Sequence, residues 1–162
     1  MSNEIKGIQN LSAEERMEYL HSFVKALLET EKDPIALMSN ISAAIKGVVE
    51  DLNWAGFYLV QGKELVLGPF QGLPACTRLE YEVGVCAKAW REKRVVCIED
   101  VHAVEDHVAC DSASNSELVI PLFREEEVYG VLDLDSPIKG RFTLIEVEGF
   151  SRLGSLIQDY LY

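Results

Sequence analysis

Two stretches of this sequence alternate with the period of a β-strand and turn back on themselves across short polar loops, which restricts the chain to an antiparallel sheet. In the first, Trp54 to Val60 runs through the turn Gln61-Gly62-Lys63 into Glu64 to Gly68. In the second, Ser116 to Arg124 runs through Glu125-Glu126-Glu127 into Val128 to Ser136. Helical signals surround them. Ser12 with Glu15 makes a capping box ahead of apolar residues at helical spacing, and Asp33-Pro34 supplies a cap and a first helical residue for a second helix reaching Leu52. Gly84 to Lys93 is expected to be a short helix and Arg94 to Ile98 a strand, and Thr143 with Glu146 opens a last helix reaching Leu161. Phe70 to Arg78 and Glu99 to Asn115 read as long loops. The order predicts an α+β domain over residues 1–162: a central antiparallel sheet, helices packed on one face, and a pocket roofed by the two loops on the other.

The charge narrows the partners. Fifteen basic against 27 acidic residues leave a net charge of −12, which repels phosphate, so nucleic acid and anionic membranes are poor partners and a small cationic or zwitterionic ligand suits the sign better. No run approaches the roughly 20 apolar residues of a spanning helix. Met1 to Gly7 has neither the apolar core nor the basic flank of a secretion signal, so a cytoplasmic protein is expected. Permanent structural disulfides are not expected there. Cys76, Cys86, Cys97 and Cys110 stand about ten residues apart with no C-x-x-C pair, poor spacing for a zinc cofactor.

Strand alternation proposes the site. In the second hairpin Leu132 and Leu134 point to the helices, leaving Asp133 and Asp135 on the loop-covered face. In the first, Ala55, Phe57 and Leu59 point to the helices, leaving Trp54, Gly56 and Tyr58 opposite. Leu118, Ile120 and Leu122 turn inward and Glu117 turns with the aspartates. A solvated sheet face also carries carboxylates, and a lone Trp54 could cap the helix layer. Two aromatics beside a glycine on that face favour a binding site. An aromatic wall with clustered acids would hold an ammonium group, and crowded carboxylates raise one another's pKa until one stays protonated near neutrality.

Among the thiols, Cys110 in D-H-V-A-C-D and Cys76 in L-P-A-C-T-R lie in polar loops and are the candidates for redox work, with Cys86 in reserve. Cys97, in a V-V-C-I strand, is expected to be a buried structural thiol. Acids around Cys110 would raise its pKa; His102, His107 or a helix end could compensate, although surface histidines are the commoner case.

The motifs W-A-G-F-Y (54–58), G-P-F-Q-G with P-A-C-T-R (68–78), G-V-C (84–86), H-V-A-C-D-S-A-S-N-S-E (107–117) and G-V-L-D-L-D-S (130–136) together resemble the free methionine-(R)-sulfoxide reductases, which are GAF-domain enzymes. Val104-Glu105-Asp106 departs from that family's Pro-Gly turn, and Cys97 stands outside its pattern. The resemblance implies a GAF-like fold and reduction of free methionine-(R)-sulfoxide to methionine with no metal or flavin cofactor. It casts Cys110 as the attacking cysteine, Cys76 as the resolving one and Cys86 as a third that joins in exchange. It places Trp54, Tyr58, Glu117, Asp133 and Asp135 in the substrate pocket, with a thioredoxin-type dithiol as reductant. A homodimer through the helix layer is in keeping with it. The alternatives are a non-catalytic GAF sensor of a small molecule, against which the acids count wherever phosphate would need donors, and a thiol switch without substrate.

Overall fold

The computed structural model describes residues 5, 7–105 and 112–161. Two helices come first, α1 (Ala13–Thr30) and α2 (Pro34–Val48). Their starts are built as the sequence predicts. Ser12 and Glu15 exchange side-chain-to-backbone hydrogen bonds at 3.2 and 2.8 Å, and Asp33 accepts from the Ala36 amide with Pro34 at the first position. The strands are β1 (Trp54–Gln61), β2 (Glu64–Gln71), β3 (Arg78–Glu80), β4 (Val96–Ile98), β5 (Ser116–Arg124) and β6 (Glu127–Ser136). Helix α3 (Val85–Glu92) precedes β4, a short 3-10 turn spans Val101–Ala103, and α4 (Leu144–Ile157) follows β6 behind the Thr143–Glu146 capping box.

The six strands form one sheet in the order β3-β2-β1-β6-β5-β4, with every neighbour antiparallel. The two hairpins meet at its centre, where β1 pairs with β6: Trp54 lies opposite Asp135, Gly56 opposite Asp133 and Tyr58 opposite Val131. Periodicity shows which residues share a face but not which strands are neighbours. This central pairing is what carries Trp54 and Tyr58 to the aspartates.

The sheet separates two apolar clusters. Ala55, Phe57, Leu118, Ile120, Leu132 and Leu134 pack with α1, α2 and α4. Trp54, Tyr58, Val119 and Val131 lie on the other side with Val85, Cys86 and Ala89 of α3. Each fully buried Leu or Phe contributes about 1.5–3 kcal/mol, and slipping one strand by a residue would send its whole inner set to the other face. Register is therefore held by the helix-side core, and the opposite face inherits its geometry from it. Three helices form the helix layer as expected, while α3 joins the loops on the pocket face.

Two further strand features differ from expectation. β2 continues past Gly68 to Gln71, and β3 adds a short edge strand inside what reads as the end of a loop. The register explains why Gly68-Pro69 looks like a stop: Gly56 pairs with Phe70 and Tyr58 with Leu67, so two residues of β2 oppose Phe57 alone. Such a bulge absorbs a proline, and β3 pairs only with Glu64 to Val66, leaving nothing beside Pro69 that needs its missing N–H.

Candidate functional site

Trp54 is the floor of the pocket face. Only 2% of it is exposed, and its indole stacks on Phe70 (5.2 Å between centroids, 15°) and Tyr58 (5.8 Å, 24°). Glycines make that close stacking feasible. A Cβ on Gly56 would come within 2.3 Å of the Phe70 Cβ and 2.8 Å of the indole, and one on Gly72, whose φ is +145°, would come within 2.5 Å of the indole. The Tyr58 hydroxyl donates to the Cys76 carbonyl at 2.9 Å, tying the cysteine-bearing loop to the edge of this aromatic shelf. The indole Nε1–H has no acceptor among the described residues.

Beside the shelf stand the acids. Glu117 and Asp133 are 5% and 6% exposed, and Asp135, half-buried, lies between Trp54 and Glu117 in register. Cys86, in the first turn of α3, comes down on them: its thiol donates to Glu117 Oε1 at 3.8 Å, and it also hydrogen-bonds Asp133. One donor atom from each of Cys86, Glu117 and Asp133 lies within 4.8 Å of the other two. Asp133 Oδ1 has no partner among the described residues.

Burial sets the protonation of this group. It pushes Asp133 up to about 7, against the lowering effect of its hydrogen bonds to Cys86 and Glu117. Glu117 rises well above the usual carboxylate range, first through burial and then through the neighbouring charges of Asp133 and Asp135. Burial also raises the Cys86 thiol, and Asp133, Glu117 and Asp135 push it further the same way. A helix start ordinarily favours a thiolate; here the acids and the dry surroundings outweigh it, so Cys86 is a thiol at neutral pH. At least one acid of the cluster remains a proton donor near neutrality.

The other cysteines divide. Cys76 is half-buried and disulfide-bonded, while Cys86 and Cys97 carry free thiols. Cys97 is exposed, which corrects the expectation of a buried strand thiol: β4 is the last strand of the sheet, and only Val96 of its three residues is buried. Cys110 and His107 lie outside the described residues. His102 is exposed and its Nε2 lies 2.9 Å from Asn115 Oδ1; the Val101 amide donates to the Asn115 carbonyl, so the flanks of segment 105–112 are fastened together.

Residues 36–161 match the family model described as GAF domain. The free methionine-R-sulfoxide reductase of Escherichia coli (strain K12) is 45% identical over 136 residues, 84% of this chain and 82% of that protein. That of Saccharomyces cerevisiae is 35% identical over 164 residues, covering 96% and 91%. The X-ray structure of free methionine-R-sulfoxide reductase from Neisseria meningitidis, in complex with its substrate, superposes with a TM-score of 0.92 at 34% identity, covering 99% of this chain and 96% of that one. This chain belongs to the free methionine-R-sulfoxide reductase family of GAF domains.

For a member of that family, the structure brings together on one face Trp54, Tyr58, Glu117, Asp133 and Asp135, the five residues that strand alternation selects, and adds Cys86 from α3. It also adds two residues that strand alternation leaves out, Phe70 and Gly72. The signal for Phe70 was available in the hairpin, since pairing across Gln61 and Glu64 leads toward Gly56, but only once the bulge at Gly68-Pro69 is allowed for.

Proposed function

We propose that this protein reduces free methionine-(R)-sulfoxide to methionine. The observation that carries the reading is the buried cluster of Glu117, Asp133 and Cys86 beside the Trp54 shelf, with the Cys76 loop fastened to the same shelf through Tyr58. The relatives at 35–45% identity that bear this activity in their names support it. The acids hold the amino acid's ammonium, and the sulfoxide methyl lies against the Trp54 indole. A protonated carboxyl of the cluster hydrogen-bonds the sulfoxide oxygen and leaves sulfur electrophilic. The Cys110 thiolate attacks sulfur, methionine departs and Cys110 becomes a sulfenic acid; Cys76 condenses with it, releasing water and forming a disulfide that a thioredoxin-type dithiol reduces. The disulfide-bonded state of Cys76 is in keeping with a redox role for that residue.

Cys86 sits inside the site as a protonated thiol, suited to hydrogen bonding with the acids, and takes part in exchange only when opening of the site exposes it. A cytoplasmic location and a homodimer through the helix layer belong to the same reading. Among the described residues no helix is long and apolar enough to cross a membrane.

Turnover with thioredoxin tests the reading: methionine is expected from the free R-epimer, with little from the S-epimer or from peptide-bound sulfoxide. Equal rates on the peptide, or ligand binding without turnover, would overturn it. Trp54→Ala is expected to raise KM for the sulfoxide at least about tenfold with a smaller change in kcat, because the shelf contributes mainly to binding. Unchanged kinetics would clear Trp54 of the role.

A further inference from the structure

The donor set at the base of the site has a property that sulfoxide reduction does not require. Cys86, Glu117 and Asp133 come from α3, β5 and β6, and offer one sulfur and two carboxylates within 4.8 Å of one another, all buried. We propose that these three side chains bind a thiophilic divalent cation of the zinc type, which takes the substrate's place and inhibits the enzyme reversibly. Binding stands on the geometry alone; its inhibitory consequence rests on the function proposed above.

A tetrahedral zinc ion holds sulfur at about 2.3 Å and carboxylate oxygen at about 2.0–2.2 Å, which sets ligand sulfur and oxygen about 3.6 Å apart. Cys86 Sγ and Glu117 Oε1 are already 3.8 Å apart. The remaining separations are at most 4.8 Å, so tetrahedral spacing asks the side chains to close by about 1 Å. A second observation points to a ligand here: Asp133 Oδ1 is fully enclosed yet meets no hydrogen-bond donor among the described residues, and a buried carboxylate oxygen of that kind calls for a proton or a cation. The charges bearing on Cys86 are all negative, from Asp133, Glu117 and Asp135. A cation seated among the same groups is attracted by every one of them.

The step involves no electron transfer. The ion displaces to solvent the Cys86 proton and any proton held by the Glu117 and Asp133 carboxyls, a metal–sulfur bond forms, and the two carboxylates complete three of four tetrahedral positions. With both acids engaged, the substrate keeps only Asp135 of the three carboxylates that would meet its ammonium and sulfoxide oxygen. The cysteine spacing weighed in the sequence concerns cysteine pairs, and a site made by one cysteine and two distant acids escapes that test.

Cobalt(II) followed by zinc(II) provides the experiment, on the full chain in its oxidised form and carrying Cys97→Ser, so that Cys86 is the free thiol that remains among the described residues. One equivalent of cobalt is expected to bind with a thiolate-to-cobalt charge-transfer band, to be displaced by zinc, and to be displaced by free methionine sulfoxide. Cys86→Ser should remove the band and weaken zinc more than about tenfold; Asp133→Asn should keep the band and weaken zinc by a similar factor. Near-UV circular dichroism checks that both variants are folded. A missing band, or zinc affinity unchanged in both folded variants, overturns the proposal. Single-turnover assays without added dithiol complete it, with zinc expected to raise the apparent KM and a chelator to restore it. A cobalt band in a protein that reduces no sulfoxide would leave the cation site standing and sink the functional reading; turnover without a band would do the reverse.

Discussion

Cys110→Ser is expected to form no methionine, even in a single turnover, whereas Cys76→Ser forms about one equivalent per chain and then stops. The asymmetry follows from the proposed order of bond making. Cys110 must attack sulfur before methionine can leave, so its removal blocks the first product. Cys76 acts only after methionine has gone, and its loss strands Cys110 as a sulfenic acid. Cys86 cannot replace the nucleophile, because burial and three neighbouring acids hold its proton in place. Nor can Cys97, which lies on the last strand of the sheet, away from the β1–β6 pairing that holds Trp54 and Asp133. Methionine quantified after mixing reduced protein with excess sulfoxide, with no reductant added, reads both variants at once. A full burst from Cys110→Ser would remove the thiol mechanism as written. Repeated turnover by Cys76→Ser with thioredoxin would remove Cys76 as the obligatory resolving residue.

The faces of the strands were legible because their period is fixed: the same alternation that buries Leu132 and Leu134 against the helices commits Asp133 to the other side. The capping boxes at Ser12 and Thr143 were legible because each is a local exchange of hydrogen bonds among four residues. What was not legible is non-local. No local signal tells Cys86, on a short helix, that two carboxylates from strands 31 and 47 positions away will meet it. Phe70 was hidden by a Gly-Pro that punctuates a loop in most contexts and forms a bulge here. Cys97 was misjudged for a related reason: V-V-C-I has the composition of an interior strand, and only sheet order reveals that it lies at the edge. Where local composition and tertiary position disagreed, position decided.

The cost of keeping such a site dry leads to a second large effect, on stability. Asp133 titrates near 3.8 when free and at about 7 in the folded protein. Below about pH 4 the group is protonated in both states and contributes nothing to pH dependence. Between about 4 and 7 the unfolded chain gives up the proton while the native state keeps it, so the native state binds more protons and stability falls as pH rises through that window. At 1.36 kcal/mol per unit, the penalty is at most about 4 kcal/mol above pH 7, and about 2 kcal/mol is a realistic share once neighbouring groups relax. Asp133→Asn keeps the shape and cannot ionise. It is therefore expected to melt with the wild type at pH 4 and about 4–8 °C above it at pH 8, where each kcal/mol corresponds to roughly 2–4 °C for a chain of this size. The same variant should lose a factor of about 10²–10⁴ in kcat/KM, because an amide cannot deliver a proton to the sulfoxide oxygen. Thermal melts at the two pH values, with turnover of free methionine-(R)-sulfoxide alongside, measure both. A variant that is no more stable at pH 8 than at pH 4, relative to wild type, would mean that Asp133 pays no penalty for ionising in place, and the acid would then have to be sought in Glu117.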